Sequence, residues 1–251
     1  MEENTIRSAQ RMFQLMELLA VHGETGVTEL GALSGLNKAT VFRQLNTLVA
    51  MGYARQNTAT GKYSLTFKLL HIASRLLEQN DLRTLVQPYL RALATDTGET
   101  VHLVQQEDTH IVYIDKVEPN VNSIRMVSRV GMRQPLTCTA VGKALLAERT
   151  DEEIAAVWQH EPNCALTPHT IVDQQIFENV IRQVRACGYA TDDEENELGV
   201  RCVAVALPDY TGRCSHAVSV SAPISRMPDE RVPNIAARLL DMKRALINSW
   251  S

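Results

Sequence analysis

The chain has 251 residues, 45% hydrophobic and 22% charged; no apolar run is long enough to cross a bilayer, and the polar, acidic start MEENTIRSAQ is unlike a secretory signal, so a cytoplasmic protein of two domains is expected. Five cysteines, at 138, 164, 187, 202 and 214, are odd in number and lack C-x-x-C spacing, which excludes a disulfide framework or zinc ribbon and leaves reduced thiols. The net charge of −4 hides a split: residues 1–66 hold six Lys/Arg against five Asp/Glu, and residues 67–251 hold 19 against 24, so phosphate affinity has to come from a local basic surface.

In chain order, Ala9, Met12, Phe13, Met16, Leu19 and Ala20 recur at helical spacing and predict a first amphipathic helix ending near Gly23. Thr28 can cap a second helix with Leu30 and Leu33 facing inward, and Gly35 supplies its stop. Asn37 caps a third helix only two residues later. So short a turn makes the helices cross steeply, as in a helix-turn-helix rather than an antiparallel hairpin. On the third helix Val41, Leu45 and Leu48 share a buried face. The opposite face presents Ala39, Thr40, Arg43, Asn46 and Thr47, with Lys38 and Gln44 at its margins. Arg43 can pair with guanine O6 and N7, Gln44 can read adenine, and Ala39 and the threonine methyls can touch thymine methyls.

Tyr53–Gln56 and Lys62–Leu65 form two short strands about the turn-rich Asn57–Gly61, which completes a winged module over residues 1–66. Arg55 and Lys62 would contact phosphates. The expected DNA-facing set is Thr28, Lys38, Ala39, Thr40, Arg43, Gln44, Thr47, Arg55 and Lys62, and the expected partner is double-stranded operator DNA. Phe67, Leu69, Leu70, Ile72, Ala73, Leu76 and Leu77 form an apolar helical stretch too extensive for the small module to bury. It predicts a linker and dimerisation helix over 67–81, so that a homodimer places two reading helices on successive turns of a near-palindromic site.

Beyond Asp81 the pattern becomes mixed. A helix from Leu82 to Thr97 stops at Gly98, and Thr100–Gln106 and His110–Val117 pair about Glu107–Asp108. Thr150 and Glu153 form a capping box for a helix through Trp158. Asp173 caps another that runs to Cys187 and stops at Gly188. Val200–Pro208 and Cys214–Ala222 are strands joined by the turn DYTG, and a last helix runs from Pro228 to about Trp250. Strands with interleaved helices and hairpins predict an α+β domain over residues 82–251. Within it, Thr139 opens a helix of small residues whose first N–H groups suit an anion. Ser219 and Ser221, two apart on a strand, project to one side.

The series TELGALSGLNKATVFRQLNTLVAMGY, GMRQPLTCTAVGKALLA, GYATDDEENELGVRCVAVAL and AVSVSAP together resembles the IclR family of bacterial transcription regulators, from about Ile6 to about Asn248. The resemblance implies a winged helix-turn-helix, a linker helix and a GAF-like α+β effector domain. It also implies dimers that pair into tetramers, and control by a small metabolite, commonly a carboxylate such as a sugar acid or keto acid. Thr139, Ala140 and Val141 then meet the effector at the helix start, and Asp192, Cys202, Ser219 and Ser221 line its cavity. A repressor of a catabolic operon, without cofactor or enzymatic activity, is the reading that follows. Two alternatives use the same residues: a cysteine-dependent enzyme pairing Cys138 or Cys202 with one of His102, His110, His160, His169 or His216, and a sensor binding a metal through the cavity's thiol, imidazole and carboxylate groups.

Overall fold

The computed structural model describes residues 6–249 apart from 79–80, 120–125, 161–164 and 210. The chain divides into two compact units, residues 1–79 and 80–251.

The first unit runs α1 (Arg7–His22), α2 (Val27–Ser34), α3 (Lys38–Ala50), β1 (Ala54–Gln56), β2 (Tyr63–Leu65) and α4 (Lys68–Glu78). Its core is apolar, with Leu15, Leu19, Leu30, Val41, Leu45, Leu48, Ala54 and Tyr63 buried together. Gly35 takes the left-handed conformation (φ 68°, ψ 12°) that ends α2, and the Asn37 side chain accepts from Thr40 N at 2.8 Å to start α3. A left-handed residue followed at once by a cap turns the chain sharply between the two helices. β1 and β2 pair antiparallel from Ala54–Leu65 to Gln56–Tyr63, and Thr25 is bridged to Tyr63.

Three sequence expectations need correction here. The inward stripe of α1 is Leu15 and Leu19, flanked by Met12 and Met16, while Phe13 is 58% exposed and Ala20 is exposed. Apolar residues lie on both sides of that helix, so periodicity by itself does not choose the buried side. Leu33 also faces out, since a helix of only eight residues meets its neighbours chiefly through Leu30. Thr28 does not cap α2. The Thr25 bridge carries the extended chain as far as Gly26, which takes the cap position and leaves Thr28 exposed in the first turn. At the other end, Lys68 ties α4 to the wing base: its Nζ donates to Met51 O at 2.7 Å and lies 4.5 Å from the Tyr53 ring centroid. The outer face of α4 and its entry leave Phe67, Leu70 and Leu76 largely exposed.

The second unit contains α5 (Asp81–Thr97), β3 (Thr100–Glu107), β4 (His110–Val117), β5 (Arg133–Pro135), α6 (Ala140–Leu146), α7 (Asp151–His160), α8 (Gln174–Cys187), β6 (Ala190–Asp193), β7 (Val200–Pro208), β8 (Cys214–Pro223) and α9 (Val232–Asn248). Its strands form one antiparallel sheet in the order β5-β4-β3-β8-β7-β6. Alternation along β7 and β8 sorts the two faces. Ala204, Ala206 and Ala217 join a core with α6, α7 and α8. The intervening Val203, Val205, Val218 and Val220 are fully buried on the side where α5 and α9 pack.

The expected caps form as hydrogen bonds. Thr150 N donates to Glu153 Oε2 at 2.9 Å, Glu153 N to Thr150 Oγ1 at 3.3 Å, and Ile176 N to Asp173 Oδ1 at 2.9 Å. β5 is an addition, too short to carry a periodic pattern. The last helix starts at Val232 instead of Pro228, because a 3-10 turn over Ile224–Arg226 and a further turn intervene. Tyr210 of the DYTG turn, Cys164 and Trp250 lie outside the described residues; Cys138, Cys187, Cys202 and Cys214 are free thiols. Among the described residues no helix is long and apolar enough to cross a membrane.

Candidate functional site

On α3, burial of Val41, Leu45 and Leu48 turns Lys38, Ala39, Arg43 and Thr47 to the surface, with Thr40 half-buried. Thr47 Oγ1 donates to Arg43 O at 3.1 Å, which occupies its proton and leaves its methyl and lone pairs outward. Gln44 departs from the expectation: it is 8% exposed and belongs to the inner face, one turn from Val41 and Leu48, so it is not available to read a base. On the hairpin, Arg55 Nε donates to Ser64 Oγ at 3.2 Å and Lys62 is exposed. Glu24 holds the tip by accepting from Asn57 Nδ2 at 3.1 Å and Thr60 Oγ1 at 2.8 Å. A preformed wing of this kind loses little conformational entropy on meeting a backbone.

The second unit holds a cavity of about 250 Å³ between its sheet and the start of α6. Strand register explains its floor. Asp192 pairs with Cys202, and Cys202 with Ser221, so three adjacent strands set a carboxyl, a thiol and a hydroxyl in one row. In the next row Ala204 pairs with Ser219, and Ser219 with His102. The opposite wall is the first turn of α6, where Thr139 Oγ1 accepts from Gly142 N at 3.1 Å. The N–H groups of Ala140 and Val141 at this turn have no partner within the helix. Gly142 permits the arrangement, because a Cβ there would overlap the Leu136 main chain. All seven expected effector residues, Thr139, Ala140, Val141, Asp192, Cys202, Ser219 and Ser221, line the one cavity.

Beneath the cavity Lys143 is 1% exposed and forms an ion pair with the buried Glu195. Asp192 Oδ1 accepts from Glu195 N at 2.8 Å and Asn196 N at 3.3 Å. Burial raises the Asp192 carboxyl to about 7, even though Lys143 and the two N–H groups pull it down. Burial also pushes the Cys138 thiol up to about 12 and the Cys202 thiol above its ordinary value, and it lowers the His102 imidazole to about 3 with help from the Lys116 ammonium. Thiols raised in this way and an imidazole lowered in this way are shifted opposite to the thiolate–imidazolium pair of a nucleophilic cysteine, and the His102 ring nitrogens face Ser128, Ser219 and Ser221. Among the described residues no cluster of three or more His, Cys, Asp or Glu side chains is arranged to hold a metal ion.

Several lining groups escaped the sequence reading: His102, Tyr113, Ser128, Gln134, Asn196 and Glu197. His102 entered it only as a conceivable base. Strand alternation fixes which residues of β3 share a face with His102, but which strand lies alongside is not encoded locally. Among the described residues Asn196 Oδ1 is buried without a hydrogen-bond partner.

Comparison with known proteins places both halves. Residues 8–58 match the IclR helix-turn-helix domain and residues 74–248 match the bacterial transcriptional regulator IclR C-terminal domain. The HTH-type transcriptional regulator KdgR of Escherichia coli is 36% identical over 238 residues, covering 95% of this chain and 90% of that protein. The DNA-binding transcriptional repressor YiaJ of the same species is 34% identical over 246 residues, covering 96% and 87%. The crystal structure of Thermotoga maritima IclR superposes with a TM-score of 0.84 at 27% identity, over 98% of this chain and 99% of that one. A winged helix-turn-helix followed by a GAF-like α+β domain, matched along almost the whole chain, makes this protein a member of the IclR family of DNA-binding transcriptional regulators.

Proposed function

We propose that the chain is a cytoplasmic repressor of a catabolic operon, built as a winged module (1–66), a linker and dimerisation helix (67–81) and an effector domain (82–251), whose operator affinity is set by a small hydroxy- or oxo-carboxylate. The observation that carries the effector reading is the polar cavity, in which the first turn of α6 faces Asp192, Cys202, Ser219 and Ser221 across about 250 Å³. That volume suits a compact ligand. The N–H groups of Ala140 and Val141, which lack partners within the helix, favour a carboxylate, and Asn196 Oδ1, unpartnered among the described residues, favours a hydroxyl that donates to it. Among the described residues the lining has no Lys or Arg, and the raised Asp192 carboxyl lessens the repulsion an anionic ligand meets there.

Lys38, Ala39, Thr40, Arg43 and Thr47 are the reading face, Arg55 and Lys62 the backbone contacts; Thr28 stays as an exposed neighbour and Gln44 is withdrawn. The exposed apolar residues Phe67, Leu70, Ile72 and Leu76, distributed around α4 and its entry, support a homodimer, and the family resemblance adds a further pairing into a dimer of dimers. An effector shifts operator affinity only by binding the two arrangements of the dimer unequally. The test uses the full chain. Arg43→Ala should weaken specific operator binding about 10- to 100-fold relative to scrambled DNA at fixed salt while sparing the effector-induced melting shift. Ser221→Phe should do the opposite, and equal operator affinity in the Arg43→Ala protein would remove the proposed reading face.

A further inference from the structure

His102 joins the β8 serines of the cavity floor to the wall segment that carries Ser128. Its Nδ1 lies 3.4 Å from Ser219 Oγ and 3.3 Å from Ser221 Oγ, and its Nε2 lies 2.7 Å from Ser128 Oγ. The residue is 3% exposed, and the Tyr113 ring packs edge-on against it, with centroids 5.1 Å apart and planes at 69°. Ser128 belongs to a segment that supplies Met126, Val127 and Met132 to the cavity wall. Lys116, opposite His102 in register, fixes that segment by donating from Nζ to Met126 O and Ser128 O, each at 2.8 Å.

A neutral imidazole has one N–H and one lone pair, so its two ends are bound to opposite roles. With the proton on Nδ1, the ring donates to a serine of β8 and accepts the Ser128 hydroxyl proton at Nε2. With the proton on Nε2, it donates to Ser128 and accepts a serine proton at Nδ1. Each serine has one proton to give. An effector group that accepts from Ser219 and Ser221, such as a carboxylate, takes those protons and requires Nδ1–H. A hydroxyl that donates to the serines leaves one of them free to donate to Nδ1, which admits the Nε2–H form that the carboxylate excludes.

We propose that His102 is a specificity-determining residue of the effector cavity, whose tautomer matches the hydrogen-bond polarity of the effector group at Ser219 and Ser221 and imposes the complementary polarity on Ser128 in the facing wall. This rests on the reading of the cavity as the effector site. The consequence is discrimination without a charged side chain: donor and acceptor ligands of the same size leave the wall at Ser128 in different states.

The test is nitrogen NMR of the full-length, histidine-labelled protein, titrated with two- to six-carbon hydroxy- and oxo-carboxylates and with polyols of matching length. The methyl signals of Met126 and Met132 report entry into the cavity. Carboxylates should hold His102 in the Nδ1–H form and polyols in the Nε2–H form. In Ser128→Ala the ring should stay Nδ1–H with either ligand, because Nε2 then has no acceptor for its proton. His102→Phe should shrink the carboxylate-to-polyol affinity ratio about tenfold, and His102→Gln, which presents donor or acceptor by turning its amide, should restore it. One tautomer for both ligand classes, with the methionine signals moving, overturns the inference and leaves the effector cavity standing. Methionine signals that move with no probe overturn the cavity reading and the inference with it.

Discussion

Arg43 and Lys143 are both helical cations, yet one stands in water on α3 while the other is 1% exposed inside α6 against Glu195. The same contrast runs through the two units. The first has an apolar core and carries the residues proposed to read DNA on its surface, where Lys38, Ala39, Arg43 and Thr47 are exposed and can be exchanged at little cost in stability. The second buries a lysine, two carboxyl groups, two serines, a histidine and a thiol in and beneath a cavity, where Lys143 pairs with Glu195, Asp192 accepts main-chain N–H groups, and Ser219 and Ser221 share His102. A DNA-reading surface therefore changes one contact at a time, whereas a sensory cavity changes as a set.

Breaking the buried set should have the largest effect. Lys143→Met leaves Glu195 and Asp192 buried without their cation and should destabilise the effector unit by about 3–5 kcal/mol, with Lys143→Met/Glu195→Leu recovering most of it. Denaturant unfolding at neutral pH is the measurement, and a loss under about 1 kcal/mol would show that the pair is not coupled to folding. The next effect is in pH dependence. Asp192 has its carboxyl raised from 3.8 to about 7, so its favourable contribution is complete below 3.8 and is lost as pH rises through about 7. Relative to Asp192→Asn, the unmodified protein should lose stability across that window with a slope of up to about 1.4 kcal/mol per pH unit. Parallel stability curves for the two proteins would contradict the buried carboxyl. The smallest effect lies in the first unit: Asn37→Ala removes an exposed cap and should cost about 1 kcal/mol, read as a lower midpoint of the first unit's unfolding. A larger loss there would mean the reading module is as interdependent as the cavity.

What the sequence makes legible divides along the same line. Asn37, Thr139, Thr150 with Glu153, and Asp173 act on backbone groups two to four residues away, and all four caps form. Ser219 and Ser221 are tied together by strand alternation. His102 and Asn196 were not legible as cavity groups, because β3 joins β8 across more than a hundred residues and the Asn196 environment is made by the turn after β6. Thr28 and Gln44 failed for a different reason. Side-chain type suggested a cap and a base contact, but Thr25's bridge to the wing and the exact rotation of α3 decided otherwise. The IclR resemblance covered the cavity residues that local pattern could not reach, and it did so only for those within its shared segments.

Gly142 has no room for even a methyl group against the Leu136 main chain. The start of α6 is thus seated on the Leu136 main chain at a position closed to any side chain, which fixes where Thr139, Ala140 and Val141 stand in the cavity wall. On the effector reading proposed above, a lineage drifting from one metabolite toward another keeps the Gly142 contact and finds its variation in side chains that line the cavity, among them Ala140, Val141, Cys202, Ser219, Ser221 and His102. Few positions then carry the ancestry of ligand choice, and a comparison of relatives' diets could begin with those alone.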